Sequence, residues 1–161
     1  MIELMHDAEG IGLAANQVGL EWRLFVADVP HSDDPQDGRS LDSDPASATR
    51  GPVVYINPVL SEPERDLVSY EEGCLSLPEI RGDVRRASAI TISALTEHGE
   101  PFSARAGGML ARCWQHEVDH LDGVLILDRM TQISRMKTRA AVKRLESGAE
   151  APRERRRAAR L

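Results

Sequence analysis

The sequence predicts a single domain of the α+β class, and three observations lead to this prediction. The chain has 161 residues, which is the size of one ordinary domain. Its predicted strands come first and its predicted helices later, with little of the alternation that a parallel α/β sheet requires. Hydrophobic residues make up 41% of the chain but aromatic residues only 4%, so we expect a core built on Leu, Ile, Val and Ala.

The first part of the chain combines a helix end, a glycine turn, a strand and a loop. Ile2 and Met5 have helical spacing that then breaks at glycines, which predicts the last turns of a helix running into a turn. Residues 22–29 (WRLFVADV) predict a short apolar strand. Residues 30–51 are rich in Asp, Ser, Pro and Gly and almost lack large apolar residues. We therefore predict an acidic loop insertion there, solvated or disordered.

The rest of the chain predicts strands and then helices. Strands are predicted over residues 52–60, 66–78 and 87–95. A turn (HGEP) follows, and residues 107–123 then predict a helix of about four turns that begins and ends at glycines. A final helix is predicted from about Thr131 to Glu146. We expect one domain over residues 1–146 and a basic, disordered tail over residues 147–161.

Composition and charge exclude some classes of protein. No apolar run approaches the ~18 residues that cross a bilayer, and the start MIELMHDAEG lacks the basic and apolar parts of a signal peptide. Two cysteines cannot form a disulfide scaffold, so they are free thiols or metal ligands. The net charge of −6 divides into +7 from Gln132 onward and −13 before it. The basic end indicates a polyanion partner, although a solvated helix with a frayed end would have the same composition.

The sequence HEVDH, residues 116–120, carries the clearest chemistry. Residues four apart share one face of a helix, so His116 and His120 can bind one metal ion. Glu117 lies beside them and can act as a general base on water at the metal without occupying a coordination position. An ordinary amphipathic helix with exposed His and Glu would show the same five residues.

A catalytic metal usually has three protein ligands, and the two cysteines are the candidates for the third. Cys113 lies seven residues from His120, about 10 Å along a helix, and its side chain is short. Cys74 lies in EEGCLSLP, where Gly73 and Pro78 mark a turn that can present a thiolate to a crossing helix. We therefore favour Cys74 as the ligand and Cys113 as a packing residue. One thiolate and two imidazoles suit Zn(II), Fe(II), Co(II) or Ni(II) and support hydrolysis of an amide or ester carbonyl.

A third motif, GIGLAANQVG at residues 10–19, places small residues next to the polar pair Asn16 and Gln17. Small residues let a backbone approach a ligand closely. A glutamine side chain can donate a hydrogen bond to a developing oxyanion. A tight helix-to-strand turn with Gln17 on the surface would use the same residues.

Together and in this order, the motifs GIGLAANQ, EGCLS and QHEVDH resemble those of peptide deformylase, over most of the chain from Glu9 to about Met130. The resemblance implies an α+β fold with antiparallel sheets around a central metal-binding helix. It implies a bacterial, cytoplasmic metallohydrolase that removes the N-formyl group from the N-terminal formyl-methionine of nascent chains and releases formate. The usual metal of the family is Fe(II), with Zn(II), Ni(II) or Co(II) as substitutes.

The resemblance also implies residue roles by motif position. The implied metal ligands are Cys74, His116 and His120. The implied catalytic groups are Glu117 as acid/base, with Gln17 and the backbone N–H of Leu75 as an oxyanion hole. The implied peptide and methionine site is lined by Ile11, Gly12, Gly73 and Arg81. We also expect a monomer that contacts the ribosome through its basic C-terminal tail.

Two features depart from the family pattern. Family members carry an N-terminal strand and a longer first helix before the glycine motif, whereas this chain begins inside that helix. We expect it to be less stable than a version extended upstream. The other departure is the insertion at residues 30–51.

Two other functions stay open from the sequence. A zincin-type metallopeptidase also uses HExxH, but its third ligand lies downstream, where Asp122 and Asp128 stand, and it leaves EGCLS unexplained. A binding module could retain the fold for ribosome or RNA contact through the basic tail. Metal content combined with a formyl-peptide assay separates the three, and the effect of changing Cys74 on metal binding distinguishes a deformylase from a zincin.

Overall fold

The computed structural model describes residues 1–34 and 37–149 of the chain. The helices in these residues are α1 (Ile2–Asp7), α2 (Gly108–Leu121), α3 (Ile126–Arg129) and α4 (Gln132–Ala149). The strands are β1 (Gly12–Ala14), β2 (Leu24–Ala27), β3 (Val53–Ser61), β4 (Leu67–Cys74), β5 (Leu77–Ala87), β6 (Ala89–Leu95) and β7 (Pro101–Gly107). A 3-10 helix, Ala15–Val18, separates β1 from β2. None of the described helices is long and apolar enough to cross a membrane.

Five strands form an antiparallel sheet in the order β1-β2-β3-β6-β7, and α2 packs against it. Between sheet and helix, Phe25 stacks on Tyr55 with ring centroids 4.5 Å apart, and Trp114 of α2 meets Tyr55 edge-on at 5.6 Å. Aliphatic residues such as Ile92 and Val118 fill the space around these rings. Three of the six aromatic residues of the chain therefore meet at the centre of the core, whereas Trp22 and Tyr70 are exposed, a division that the composition alone did not indicate.

Strands β4 and β5 form a separate antiparallel hairpin. Cys74 pairs with Leu77, so Leu75 and Ser76 form a two-residue turn at the hairpin tip. The register shifts just before the tip: Gly73 pairs with Arg81, whereas the next residue, Cys74, pairs with Leu77. A bulge of this kind bends a strand and redirects its side chains. The hairpin is held from the other side by α4, which packs on β5.

The loop over residues 30–51 is exposed or half-buried along most of its described length, but its end is built into the fold. Residues 47–49 are buried. The backbone N–H groups of Met109 and Leu110, at the start of α2, donate to the carbonyls of Gly38 and Ser47 at 3.2 and 3.1 Å. The expectation of a solvated segment therefore fails at its end. The physical reason is that the first N–H groups of α2 need acceptors, and its N-cap residue makes no side-chain cap.

The predicted α+β class, the antiparallel sheets around a central helix and the C-terminal helix are confirmed. Strands β1 and β7, helix α3 and most of β5 were not predicted from the sequence. Strand β5 (LPEIRGDVRRA) carries charged residues at its exposed positions, which hides its buried alternation. Helix α4 continues to Ala149, so the first residues of the predicted tail are helical. Residues 150–161 lie outside the described part of the chain.

Candidate active site

Three side-chain donor atoms that could hold a metal ion meet where the hairpin tip approaches α2. Cys74 is the last residue of β4, and His116 and His120 lie one turn apart on α2. The Nε2 of His120 lies 3.1 Å from the Sγ of Cys74 and 3.1 Å from the Nε2 of His116. All three donor atoms lie within 4.8 Å of one another. This spacing suits ligands of a single metal ion.

Different faces of α2 serve the core and the site. Trp114 and Val118 pack into the core shared with the five-stranded sheet. His116 and His120 are four residues apart, so they share another face of the helix, and the thiol of Cys74 meets that face. His120 is only 3% exposed. The amphipathic pattern of α2 therefore orients both imidazoles toward the hairpin.

Glu117 is a buried carboxylate in the wall of the same site. Its Oε2 has no hydrogen-bond partner among the described residues. Burial raises the pKa of Glu117 from 4.5 to about 7. A carboxyl group that titrates near neutral pH can both accept and donate a proton during a reaction. The arrangement therefore places a carboxyl group that can act as a base next to, but not among, the three donor residues.

A set of buried charged residues fixes the Nδ1 side of the His116 ring. Glu72 of β4 accepts hydrogen bonds from Nδ1 of His116 at 3.1 Å, from Arg86 at 2.7 and 2.9 Å, and from Arg112 at 2.6 Å. Burial would raise the pKa of Glu72, but hydrogen bonds from His116 and the arginines outweigh it and lower this pKa to about 2. The ionised carboxylate therefore fixes the ring so that Nε2 of His116 faces the other two donors.

Further contacts tie the second half of α2 to its surroundings. Arg86 also donates to Asp119 at 2.7 Å, and Asp119 accepts a second arginine, Arg129, at 2.7 Å. On the other side, the Nδ2 of Asn16 in the 3-10 helix donates to the backbone carbonyl of His120. The turn of α2 that carries the histidines is therefore linked both to the hairpin and to the 3-10 helix.

Gln17 approaches the donor atoms from the 3-10 helix. Its Oε1 accepts a hydrogen bond from the backbone N–H of Ala14 at 2.8 Å. Its Nε2 donates to the Oγ of Ser76 at 3.0 Å and lies 3.7 Å from the Sγ of Cys74. The amide donor of Gln17 therefore lies beside the donor atoms of Cys74, His116 and His120.

A cavity of about 560 Å³ opens beside these groups. Nine of the ten site residues named from the sequence line it, and the tenth, His120, is buried with its Nε2 against His116 and Cys74. The nine are Ile11, Gly12, Gln17, Gly73, Cys74, Leu75, Arg81, His116 and Glu117. Four separate stretches of the chain, namely the α1–β1 turn, the 3-10 helix, the hairpin and α2, therefore contribute to one enclosure.

The two cysteines have opposite environments. Burial would raise the pKa of Cys74, but hydrogen bonds with His116 and His120 outweigh it and lower this pKa from 9.0 to about 6. Cys113 is 4% exposed, its Sγ lies 3.4 Å from the carbonyl oxygen of Ile11, and burial raises its pKa well above the ordinary value. Cys74 is therefore the cysteine whose thiolate is favoured and faces the histidines.

The sequence of this chain is similar to those of known proteins. The sequence profile of the family described as polypeptide deformylase matches residues 1–136. The chain belongs to this family. Peptide deformylase 2 of Gloeobacter violaceus is 44% identical over 130 residues, which are 81% of this chain and 62% of that protein. Peptide deformylase of Agrobacterium fabrum is 38% identical over 151 residues, 94% of this chain and 79% of that protein.

Solved deformylase structures resemble the fold described above. Peptide deformylase from Plasmodium falciparum has a TM-score of 0.79 at 31% identity, covering 95% of this chain and 81% of that one. Peptide deformylase from Thermotoga maritima has a TM-score of 0.68 at 40% identity, covering 81% of this chain and 76% of that one. The chain spans less than two thirds of the length of the Gloeobacter protein.

Deformylases are metal-dependent hydrolases that remove N-formyl groups from nascent peptides. The family expected from the sequence is confirmed. The three deformylase motifs lie far apart in the chain, yet the fold brings Gln17, Cys74 and Glu117, one from each motif, to the same cavity.

The carboxylates that a zincin would recruit downstream are engaged elsewhere in this deformylase fold. Asp122 pairs with Arg23 at 2.7 Å. Asp128 accepts a hydrogen bond from the backbone N–H of Leu125 at 3.0 Å. In the described part of the chain, the donor atom that joins the two histidines is the sulfur of Cys74.

The deformylase motifs also contain residues whose roles could not be predicted from the sequence. Glu72 and Ser76 flank Cys74 in EEGCLS, and Asp119 lies inside HEVDH. Their position within the motifs was a usable signal. No sequence signal indicated that Arg86 and Arg112 are buried beside the site, because an arginine in a strand or a helix usually faces solvent.

Proposed function

We propose that this chain is a metal-dependent hydrolase that removes the N-formyl group from the N-terminal formyl-methionine of newly synthesised polypeptides and releases formate. One observation carries the proposal. The donor atoms of Cys74, His116 and His120 converge beside a cavity whose wall holds a buried carboxylate, Glu117, with an oxygen that no described residue engages. Metal-assisted hydrolysis of a linear amide uses such a pairing of ligand set and base.

The donor set fits a divalent metal ion. One thiolate and two neutral imidazoles leave the ion with net positive charge, and three protein ligands are the usual number in a catalytic site. We propose Fe(II) as the native metal, with Zn(II), Ni(II) or Co(II) able to replace it. When bound, such an ion polarises the formyl carbonyl and makes water a stronger nucleophile near neutral pH.

The chain's own groups move the protons and stabilise the charge. Glu117 takes a proton from the attacking water as the water oxygen bonds to the formyl carbon. It then gives that proton to the amine nitrogen as the C–N bond breaks, so formate and a free N-terminus are the products. The Nε2–H of Gln17 and the backbone N–H of Leu75 donate to the carbonyl oxygen while its negative charge develops.

The rest of the cavity receives the peptide. Ile11, Gly12 and Gly73 line it, and a glycine backbone allows close approach of an extended chain. The Arg81 side chain covers Gly73, with its Cγ 3.5 Å from the place of a Cβ there. We propose that these residues bind the formyl-methionine and that Arg81 lies along the following peptide.

The decisive experiment uses protein purified anaerobically and loaded with Fe(II) or Ni(II). A formyl-Met-Ala-Ser peptide should yield formate and free amine in equal amounts. Glu117→Gln should keep its metal and lose about 10²–10⁴-fold in rate. Cleavage at an internal peptide bond would instead indicate a metallopeptidase, and stoichiometric metal without formate release would indicate a binding module.

We also propose that the basic C-terminal part contacts the ribosome in the bacterial cytoplasm, where nascent chains emerge, and that the enzyme acts as a monomer. Helix α4 exposes five basic side chains: Arg135, Lys137, Arg139, Lys143 and Arg144. Phosphate binding by such residues weakens steeply with salt. Changing all five to Gln should lower ribosome affinity at low salt and leave hydrolysis of a free formyl-peptide unchanged. Equal affinity of the two proteins would contradict the proposal, and analytical ultracentrifugation tests the monomer.

A further inference from the structure

The hairpin tip carries a serine that the proposed reaction does not use. Ser76 is the second residue of the two-residue turn between Cys74 and Leu77. Its Oγ lies 3.0 Å from the Nε2 of Gln17. This contact joins a side chain of the hairpin to a side chain of the 3-10 helix, and other residues of the hairpin line the same cavity as Gln17.

The backbone fixes the direction of the Gln17 amide group. The N–H of Ala14 lies 2.8 Å from one end of the amide, and a backbone N–H can only donate, so that end must be the oxygen. The NH2 end therefore faces the hairpin. One of its hydrogens has the Oγ of Ser76 as acceptor, and the other acceptor that the described residues offer to this nitrogen is the Sγ of Cys74, at 3.7 Å. This contact to sulfur is long, so the second N–H is the one available to a substrate.

We propose that Ser76 is a positioning residue for Gln17: its hydroxyl oxygen holds one Nε2–H so that the other is directed at the reacting carbonyl oxygen. This inference rests on the proposed function, because it takes Gln17 as a donor to the oxyanion. Ser76 acts through Gln17 and has no part in bond making or breaking.

The need for a second anchor follows from the chemistry of the side chain. The terminal torsion of glutamine is soft and has no sharp staggered minima. Ala14 holds only the oxygen end, so the amide plane can still rotate about that contact. A hydroxyl group fixes the nitrogen end and brings no charge close to Glu117 or the ligands. Because Ser76 is exposed, water competes for the same hydrogen bond, and we expect a loss of about 3- to 10-fold in kcat when it is removed.

A double-mutant cycle on the metal-loaded enzyme tests the coupling. Ser76→Ala should lower kcat about 3- to 10-fold with little change in KM, and Ser76→Thr, which keeps the hydroxyl, should restore most of it. In a Gln17→Ala background the same Ser76→Ala change should alter kcat less than about 2-fold. Ser69→Ala, in the same hairpin and also exposed, is the matched control and should match the parent enzyme. An equal Ser76→Ala loss in both backgrounds would overturn the proposal.

A second measurement is independent of activity. In the Zn(II)-loaded, 15N-labelled protein, the side-chain NH2 of Gln17 should be ordered on the ps–ns timescale, and Ser76→Ala should lower its order parameter while Ser76→Thr keeps it. Gln115 provides an internal reference, because its amide donates to the carbonyls of Ala87 and Ala111 and should not respond. An unchanged Gln17 order parameter in Ser76→Ala would refute the positioning role. Absence of formate release from the parent enzyme, with the order parameter changing as expected, would instead refute the proposed function alone.

Discussion

Gly12 and Glu117 share a space that admits only one side chain. A Cβ on Gly12 would lie 2.3 Å from the Oε1 of Glu117 and 2.8 Å from the Sγ of Cys113. Real atoms do not approach that closely, so the carboxylate occupies its buried position because residue 12 has no side chain. The glycine motif and the HEVDH motif are therefore complementary in shape as well as in chemistry.

Gly12→Ala should displace Glu117 and reduce activity more than metal binding. Overpacking of a buried site typically costs about 1–3 kcal/mol in stability, and a misplaced base should lower kcat/KM by about 10²-fold. Urea unfolding, metal content and formyl-peptide hydrolysis measure the three quantities. Gly148→Ala is the control, since a Cβ there would meet nothing within 4 Å. A Gly12→Ala enzyme with full activity would show that Glu117 can work from another position.

Glu117 should make the metal-free protein less stable as pH rises. Its pKa is raised by burial from 4.5 to about 7. Between these values the folded state binds more protons than the unfolded state, so the free energy of unfolding falls as pH increases and levels off above the folded pKa. The full effect is about 3 kcal/mol, taking 1.36 kcal/mol per unit.

Replacing the carboxyl group removes this penalty. After chelator treatment, Glu117→Gln and the parent protein should have similar unfolding free energies at pH 4.5, and Glu117→Gln should be the more stable of the two at pH 8. Urea titrations at both pH values measure the difference. A parent protein as stable as Glu117→Gln at pH 8 would show that the carboxylate is solvated or paired in solution.

Replacing each of the two cysteines by serine should affect metal binding differently. Cys74→Ser replaces a favoured thiolate by a hydroxyl and should lower metal affinity by more than 10-fold, because soft thiolate ligands bind Zn(II) and Fe(II) far better than neutral oxygen. Cys113→Ser, a similar change at a buried site that faces the carbonyl of Ile11, should leave metal content unchanged. Metal analysis after dialysis against a chelator is the measurement. Equal metal loss in both variants would contradict the assignment of Cys74.

Many of the candidate site residues could be predicted from the sequence, because they lie in short motifs whose geometry is local. His116 and His120 meet on one helix face at any i, i+4 spacing, and Glu117 must then lie beside them. Cys74 was also inferable, since a turn can present a thiolate to a crossing helix. The folded chain adds what no local pattern specifies: the bulge before Cys74 and the contact between Gln17 and Ser76.

The buried charges and part of the fold could not be predicted either, because they also depend on contacts between distant residues. Arg86 is recognisable as a core residue only once Glu72 and Asp119 are known to surround it, and these lie 14 and 33 positions away. Strand β5 was missed because its buried residues alternate with charged ones that a propensity scale counts against it. Long-range pairing decides both, and a single sequence does not show it.

Arg86 should therefore be the costliest of the surrounding residues to replace. Its guanidinium makes two hydrogen bonds to Glu72 and one to Asp119, and its side chain is 5% exposed. Arg86→Met leaves two buried carboxylates short of a partner, and removing one member of a buried ion pair typically costs about 3–5 kcal/mol. Because Glu72 orients His116, the Zn(II)-loaded protein should also release its metal faster.

The control variant, Arg105→Met, breaks an arginine–glutamate pair in which Arg105 is 36% exposed and Glu64 is 52% exposed. It should therefore lower the free energy of unfolding by at most about 1 kcal/mol. Urea unfolding and metal release by chelator capture compare the two. Equal losses of stability would show that the buried charges contribute no more than the exposed ones.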